Sequence, residues 1–113
     1  MAQTISEKEF QSVLLTSLNL DFLCNSISEN GAKYLGEVIS KCLTLTFLNL
    51  NLRKNSVGDN GAKYLGEGIL KCVTLNSLNL NLRNNKIDHN GLRTLKKIAL
   101  KVKRLIQYYI LSN

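Results

Sequence analysis

The chain has 113 residues, of which 44% are apolar and 20% charged, with three cysteines, no proline and no tryptophan. This length fits one domain with its own core, and the apolar fraction excludes a disordered chain. Three cysteines exclude a disulfide-stapled miniprotein, and no apolar stretch approaches the roughly 18 residues of a membrane span. The N-terminal residues are polar and contain no secretory signal, so we expect an intracellular, cytoplasmic protein.

The N-terminal segment predicts a capping helix. Ser6 and Glu9 form the Ser-x-x-Glu pattern of a capping box. Phe10 and Val13 follow within the same helix, where they can pack on a neighbouring structural unit. We expect residues 1–17 to hold this helix and the start of the first strand.

An internal repeat occupies most of the chain. The triplet Leu-Asn-Leu recurs every 30 residues, and residues 18–47 and 48–77 are identical at 18 of 30 positions. Residues 78–107 match the second copy at 13 positions. Such self-similarity indicates stacked units that bury their apolar sides against one another. We therefore predict three repeats, 18–47, 48–77 and 78–107, within one domain.

Each copy combines a strand pattern with a helix pattern. In the third copy Leu78, Leu80 and Leu82 alternate with other residues, as in a strand with one buried face. A polar turn ending in Asn-Gly follows, and beyond the glycine of the second copy Ala62 and Leu65 have helical spacing. A strand and a helix in every unit predict parallel strands on one side and helices on the other.

Three strings of the form Leu-x-Leu/Phe-x-x-Asn-x-Ile/Val, beginning at Leu20, Leu50 and Leu80, look like the leucine-rich repeat signature. The long helical half with Gly-Ala-x-x-Leu resembles the ribonuclease-inhibitor type, which includes Ran GTPase-activating proteins and sensor arrays of innate immune receptors. The resemblance covers about residues 18–113. It implies an α/β leucine-rich repeat solenoid, a short right-handed horseshoe segment of about three repeats plus terminal half-repeats, with strands concave and helices convex. The 30-residue period is longer than usual for that type.

One asparagine recurs after each strand, as Asn25, Asn55 and Asn85. The chain must turn sharply there, which leaves backbone donors and acceptors facing inward. An amide side chain carries both donors and an acceptor, so it can bind these groups. We predict a structural role for all three asparagines.

A C-terminal edge strand is predicted within residues 105–113. Tyr108 and Ile110 continue the leucine pattern of the earlier strands, and no charged residue lies between Leu105 and Asn113. An uncharged edge strand invites pairing with another chain. Two interpretations stay open here: a homodimer formed through this edge, or a short remnant of a longer array.

The chain carries no recognisable catalytic motif. Phosphate-binding glycine loops and the kinase catalytic signatures are missing. Asp88 and His89 can be imagined as a catalytic pair, but a polar turn explains them better. Cys42 and Cys72 are equivalent to Val102 in the third copy, which indicates a small apolar core position and free thiols. We expect no enzymatic activity, no cofactor and no metal site.

The first candidate binding surface is the predicted concave face of the strands. Amides flanked by arginines and a tyrosine can bind polar groups and carboxylates of a partner. The alternative is a solvated face whose asparagines were duplicated with the repeat. The predicted face consists of Asn19, Asp21, Asn49, Asn51, Arg53, Asn79, Asn81, Arg83 and Tyr109.

The second candidate surface is the last helix, about residues 91–103. Charges cancel in residues 1–82, whereas residues 83–113 hold eight basic side chains and one acid. A buried stripe is predicted from Leu92, Leu95, Ile98, Ala99 and Val102. The opposite, basic face is predicted from Arg93, Lys97, Lys101 and Arg104. Such a helix either binds acidic proteins, nucleic acid or anionic membranes, or only keeps the stack soluble.

The sequence favours a non-enzymatic protein-interaction module that binds an unidentified protein through the concave face. Resemblance to the Ran activators implies a second candidate, a small-GTPase regulator, although their functional positions do not match this chain residue by residue. The third candidate is a binder of anionic surfaces through the basic helix. Missing aromatic residues on that helix argue against nucleic acid as its ligand.

Overall fold

Strands and helices alternate along the chain in the computed structural model, which describes residues 15–101 and 107–111. They are β1 (Ser17–Asp21), α1 (Glu29–Ser40), β2 (Phe47–Asn51), α2 (Gly58–Lys71), β3 (Ser77–Asn81), α3 (His89–Lys101) and β4 (Gln107–Leu111). The predicted α/β class is confirmed. The N-terminal capping helix is predicted within residues 1–17, and residues 1–14 of that segment lie outside the described residues.

The strands form one parallel sheet in the order β1-β2-β3-β4. Leu48 pairs with Leu18 on one side and with Leu78 on the other, and Leu78 pairs with Tyr108. Each pair joins residues at equivalent places in the sequence repeat. A slip of one residue would turn every buried leucine of a strand toward solvent, so the leucine alternation sets this register.

The core lies between one face of the sheet and the helices. Leu48 and Leu50 of β2 are fully buried and belong to the same apolar cluster as Ile39, Leu65 and Ile69 of the helices. Intervening strand residues point the other way and are partly or fully exposed. The helices therefore cover one face of the sheet and leave the other available.

The helices begin earlier than the sequence pattern predicts. We placed the last helix at about 91–103, but α3 begins at His89, and Asn90 and Gly91 lie in its first turn. Asp88 explains the shift, because its Oδ1 accepts the backbone N–H groups of Asn90 at 2.9 Å and Gly91 at 3.0 Å. This side chain caps the helix from a position three residues before the glycine.

Two glycines allow the backbones of α1 and α2 to approach closely. A Cβ atom on Gly68 would collide with the backbone of Gly36, and one on Gly36 would lie 2.5 Å from the carbonyl oxygen of Tyr64. Side chains separate α2 from α3 instead, since a Cβ atom on Gly66 would meet Cδ1 of Ile98 at 2.7 Å. The α1–α2 contact is therefore a backbone contact.

Asn55 connects its own turn to the preceding one. Its Oδ1 accepts the backbone N–H groups of Asn25 at 3.0 Å and Ile27 at 2.7 Å. Its Nδ2 donates to the carbonyl oxygens of Phe22 and Leu52, both at 2.9 Å. Since Asn55 is buried, water cannot replace it as the partner of these backbone groups.

Asn85 makes the equivalent contacts one repeat later, whereas Asn25 does not. Oδ1 of Asn85 accepts the N–H of Val57 at 3.1 Å, and its Nδ2 donates to the carbonyl oxygen of Leu52 at 2.7 Å. Asn25 is exposed, and among the described residues its side chain donates to the carbonyl oxygen of Leu23 in its own turn. The predicted contacts to a preceding turn are therefore seen for Asn55 and Asn85, and no described turn precedes Asn25.

Replacing Asn55 by leucine should lower the free energy of unfolding by about 3 kcal/mol, because several buried backbone groups lose their partner. Urea unfolding followed by circular dichroism measures this loss. The matched control is Asn25→Leu, which should cost less than about 1 kcal/mol because that side chain is exposed. Equal losses for the two variants would contradict the assigned roles.

Gly68→Ala should lower the free energy of unfolding by about 1–3 kcal/mol, because the backbone of Gly36 must move away. Gly66→Ala is the control on the same helix. Its new methyl group meets the ends of the Ile98 and Leu95 side chains and no backbone. Alanine also gains about 1 kcal/mol of helix propensity over glycine. Thermal unfolding of both variants checks the prediction, which fails if Gly68→Ala is as stable as Gly66→Ala.

Candidate functional site

The exposed sheet face is the side of β1, β2 and β3 that points away from the helices. It consists of Ser17, Asn19, Asp21, Phe47, Asn49, Asn51, Ser77, Asn79 and Asn81. The strand register aligns these residues in three columns across the sheet. Neighbouring strands of a sheet lie about 4.8 Å apart, so adjacent members of a column can contact one another.

Hydrogen bonds across the strands order two of these columns. Nδ2 of Asn49 donates to Oδ1 of Asn19 at 3.0 Å, and Nδ2 of Asn51 donates to Oδ1 of Asp21 at 3.1 Å. Each amide retains further donor and acceptor capacity after forming one such bond. The predicted amide rows are therefore held in place between β1 and β2.

The column formed by Asp21, Asn51 and Asn81 at the ends of the strands has a second role that the sequence analysis missed. Oδ1 of Asn51 accepts the backbone N–H of Arg53 at 3.1 Å, and Asn81 binds the N–H of Arg83 at the same distance. Asp21 makes the equivalent bond in the first turn. A side chain that binds the backbone two residues onward is an Asx turn, which fixes where the strand ends. This column thus serves the turns as well as the exposed face.

Arg53 and Arg83 lie directly beyond this column, at equivalent places in adjacent turns. Both side chains are exposed. The turns are joined at the backbone, where the N–H of Lys54 donates to the carbonyl oxygen of Arg83 at 2.9 Å. Guanidinium groups bind carboxylates in a bidentate geometry. Two of them at one end of the sheet favour an anionic group on a bound partner.

Phe47 is a candidate binding residue that sequence reasoning missed. It is the first residue of β2, and the residue is 38% exposed on the sheet face. Its neighbours across the strands are Ser17 and Ser77. We began the strand pattern at Leu48, which left Phe47 outside it. The repeat contains a signal for this residue, because Phe47 is large and apolar whereas the equivalent residues in the neighbouring copies, Ser17 and Ser77, are serines.

The remaining predicted surface residues are only partly described. Tyr109 lies in β4, where its backbone pairs with Asn79. Arg93 and Lys97 are exposed on α3, which ends at Lys101. Arg104 of the basic face and Val102 of the predicted stripe lie outside the described residues.

The stripe predicted to be buried on α3 is only partly so. Leu95 is 2% exposed, whereas Leu92 and Ile98 are half-buried. Leu100 is 65% exposed. The residue of α2 that corresponds to Leu92 is Ala62, which is fully buried because α1 and α3 pack on either side of α2. In contrast, α2 is the one described helix that packs against α3. The sequence pattern alone does not distinguish these two situations.

Asp88, considered above as a catalytic partner of His89, binds the backbone at the start of α3. The backbone N–H of Gly91 lowers the pKa of the Asp88 carboxyl below its ordinary value of 3.8, with smaller contributions from Asp59, Asn90 and the neighbouring His89. The carboxylate is thus occupied as a helix cap. His89 is exposed as the first residue of α3, not in the turn where we predicted it.

The equivalent cysteines bind backbone carbonyl groups. Sγ of Cys42 donates to the carbonyl oxygen of Val38 at 3.3 Å, and Sγ of Cys72 donates to that of Cys42 at 3.4 Å. Both residues are buried, and burial raises the pKa of the Cys42 thiol. A raised pKa keeps a thiol protonated and unreactive near neutral pH.

Asp88→Asn should keep the cap but remove its charge. Because the folded-state pKa is lowered, the charged form stabilises the fold above about pH 4, and this contribution is lost as the pH falls through the folded-state pKa. The stability difference between wild type and Asp88→Asn should therefore shrink in acid. Urea unfolding at several pH values measures it, and a pH-independent difference would contradict the assignment.

Three further findings concern metal binding, membranes and relatives. Within residues 15–101 and 107–111, no three His, Cys, Asp or Glu side chains lie together as a metal site requires. In the same part of the chain, no helix has the length and apolar character to cross a membrane. Comparison with protein-family models and with curated proteins found no significant match to this chain.

Proposed function

We propose that this chain is a leucine-rich repeat segment of the ribonuclease-inhibitor type and acts as a non-enzymatic protein-interaction module. The parallel strands, whose register follows the 30-residue sequence repeat, support this assignment. So do Asn55 and Asn85, which bind the turns of adjacent repeats. In this proposal the repeats stack as a short right-handed solenoid, and the exposed sheet face is its concave side.

The observation that carries the binding role is the combination of an exposed aromatic ring and two arginines on one surface. Phe47 lies in the middle strand of β1–β3, and Arg53 and Arg83 border the end of the same face. Aromatic residues and arginine are enriched among the side chains that dominate binding energy at interfaces. A merely solvated face would need neither of them.

Ordered amides add to the suitability of this surface. Asn49 and Asn19 are already hydrogen-bonded to each other, so less side-chain freedom is lost when a partner binds. Their remaining donors and acceptors suit polar groups of a polypeptide. The partner that fits is a protein with carboxylates near Arg53 and Arg83 and an apolar side chain above Phe47.

We propose no catalytic activity because the reactive side chains Asp88 and Cys42 have structural roles. The Asp88 carboxylate caps α3, and the Cys42 thiol is buried with a raised pKa. Neither group faces the exposed sheet surface. No observation on that surface favours a GTPase as its partner over another acidic protein.

Arg53→Glu combined with Arg83→Glu should abolish capture of the partner from a lysate of the native cell, as measured by affinity purification and mass spectrometry. Reversing both charges repels the carboxylates that we expect on the partner. Phe47→Ala should weaken capture at least about tenfold, because it removes the aromatic contact at the start of β2.

The control is Lys63→Glu combined with Lys71→Glu, which makes the same change in net charge at exposed positions of α2. This variant should capture the partner as wild type does. Circular dichroism establishes that all variants are folded. If the arginine variant captures the same protein as wild type, the exposed sheet face is not the binding surface.

A further inference from the structure

A groove on α3 forms a second surface, separate from the exposed sheet face. It has a volume of about 400 Å³, and it is called the α3 groove below. The residues lining it are His89, Leu92, Arg93, Lys96, Lys97 and Leu100. Leu95 and Ile98 lie on the side of α3 that meets α2, so the groove faces away from that contact.

The charge of this groove departs from the repeat. His89 and Lys97 occupy the positions of Asp59 and Glu67 in the preceding copy. Two acidic positions have thus been replaced by a histidine and a lysine, while much of the rest of the repeat is retained. No acidic residue occurs anywhere in α3. An anionic partner is therefore attracted to this helix more than to α1 or α2.

Lys96 argues against a further helix packing on α3 as closely as α2 packs on α1. The equivalent residues in the earlier copies are Gly36 and Gly66. These glycines lie where the next helix packs, since an added Cβ atom would meet Tyr64 or Ile98. A lysine at this position keeps a following helix from packing at the same short distance. A second copy would also bring an equal positive charge against the groove.

We infer that the α3 groove binds an acidic amphipathic segment of a protein partner. Leu92 and Leu100 supply apolar surface, and Leu100 is 65% exposed. Arg93, Lys96 and Lys97 lie beside them as cations. An amphipathic helix fits such a surface, with its apolar side chains on the leucines and its carboxylates on the cations.

The apolar part of the groove distinguishes this partner from other anionic ligands. Nucleic acid binds cations and stacks its bases on aromatic side chains, and among the residues lining the groove only His89 carries an aromatic ring, with no Phe, Tyr or Trp beside it. A helix that binds membranes needs a broad apolar face, and two leucines offer little area to insert. A polypeptide can use both the leucines and the cations.

The test uses a designed helical peptide of about 15 residues, with leucines on one face and glutamates elsewhere. A scrambled peptide of the same composition has the same charge but no apolar face. Fluorescence anisotropy with the full chain should show binding of the ordered peptide at least about tenfold tighter than that of the scrambled one. Added salt should weaken the binding, because the carboxylate contacts are exposed.

Variants of the protein locate the binding. Lys96→Glu combined with Lys97→Glu should weaken it at least about tenfold, and Leu100→Ser should weaken it as well. Lys63→Glu combined with Lys71→Glu carries the same charge change on α2 and should leave the affinity within about twofold. These positions are exposed, and circular dichroism verifies that each variant is folded.

Four results would overturn the inference. Equal affinity for the two peptides would mean that the leucines are not used. Unchanged binding by the Lys96 and Lys97 variant would place the contact elsewhere. Tighter binding of single-stranded RNA, or of vesicles containing phosphatidylserine, than of the ordered peptide would assign the groove to a different class of ligand. None of these outcomes affects Arg53 or Arg83, so the proposed role of the exposed sheet face is tested separately.

Discussion

Hydrogen bonding in the turns after the strands is the constraint on which the structure depends. Each turn directs backbone N–H and carbonyl groups inward, away from water. Asn55 and Asn85 bind those groups, both in their own turn and in the preceding one. A turn therefore obtains its partners from the next copy of the repeat. This dependence couples the copies and aligns the strands in a parallel sheet with equivalent residues side by side.

The same coupling positions both candidate binding surfaces. At the strand ends, Asn51 and Asn81 hold the backbone of Arg53 and Arg83, so the arginines lie in adjacent turns at one border of the sheet. On the helical side, small residues set how closely successive helices pack. Lys96 of α3 replaces the glycine at which the earlier helices pack closely on the next one. The surface of α3 at this position is the basic α3 groove.

Some of the candidate binding residues lie where the repeat is broken, whereas Arg53 and Arg83 retain it. Phe47 differs from the serines beside it on the exposed sheet face, and Lys97 differs from the glutamates at its position in α1 and α2. Buried positions that retain the repeat have structural contacts, as with the leucines of the strands and the cysteines bonded to carbonyl groups. Such a buried residue answers a packing requirement common to the copies, whereas an exposed position is free to serve a partner.

The sequence by itself determined the α/β class, the strand register and the identity of the core, because leucine alternation and a 30-residue period leave one way to bury the leucines together. Tertiary structure alone decided that Asn25 is exposed, that Asn51 caps a turn, and that α3 begins at His89. Those outcomes depend on which groups lie nearby in space. The repeat gives equivalent residues the same letter, but among the described residues the neighbours of a side chain differ from one copy to the next.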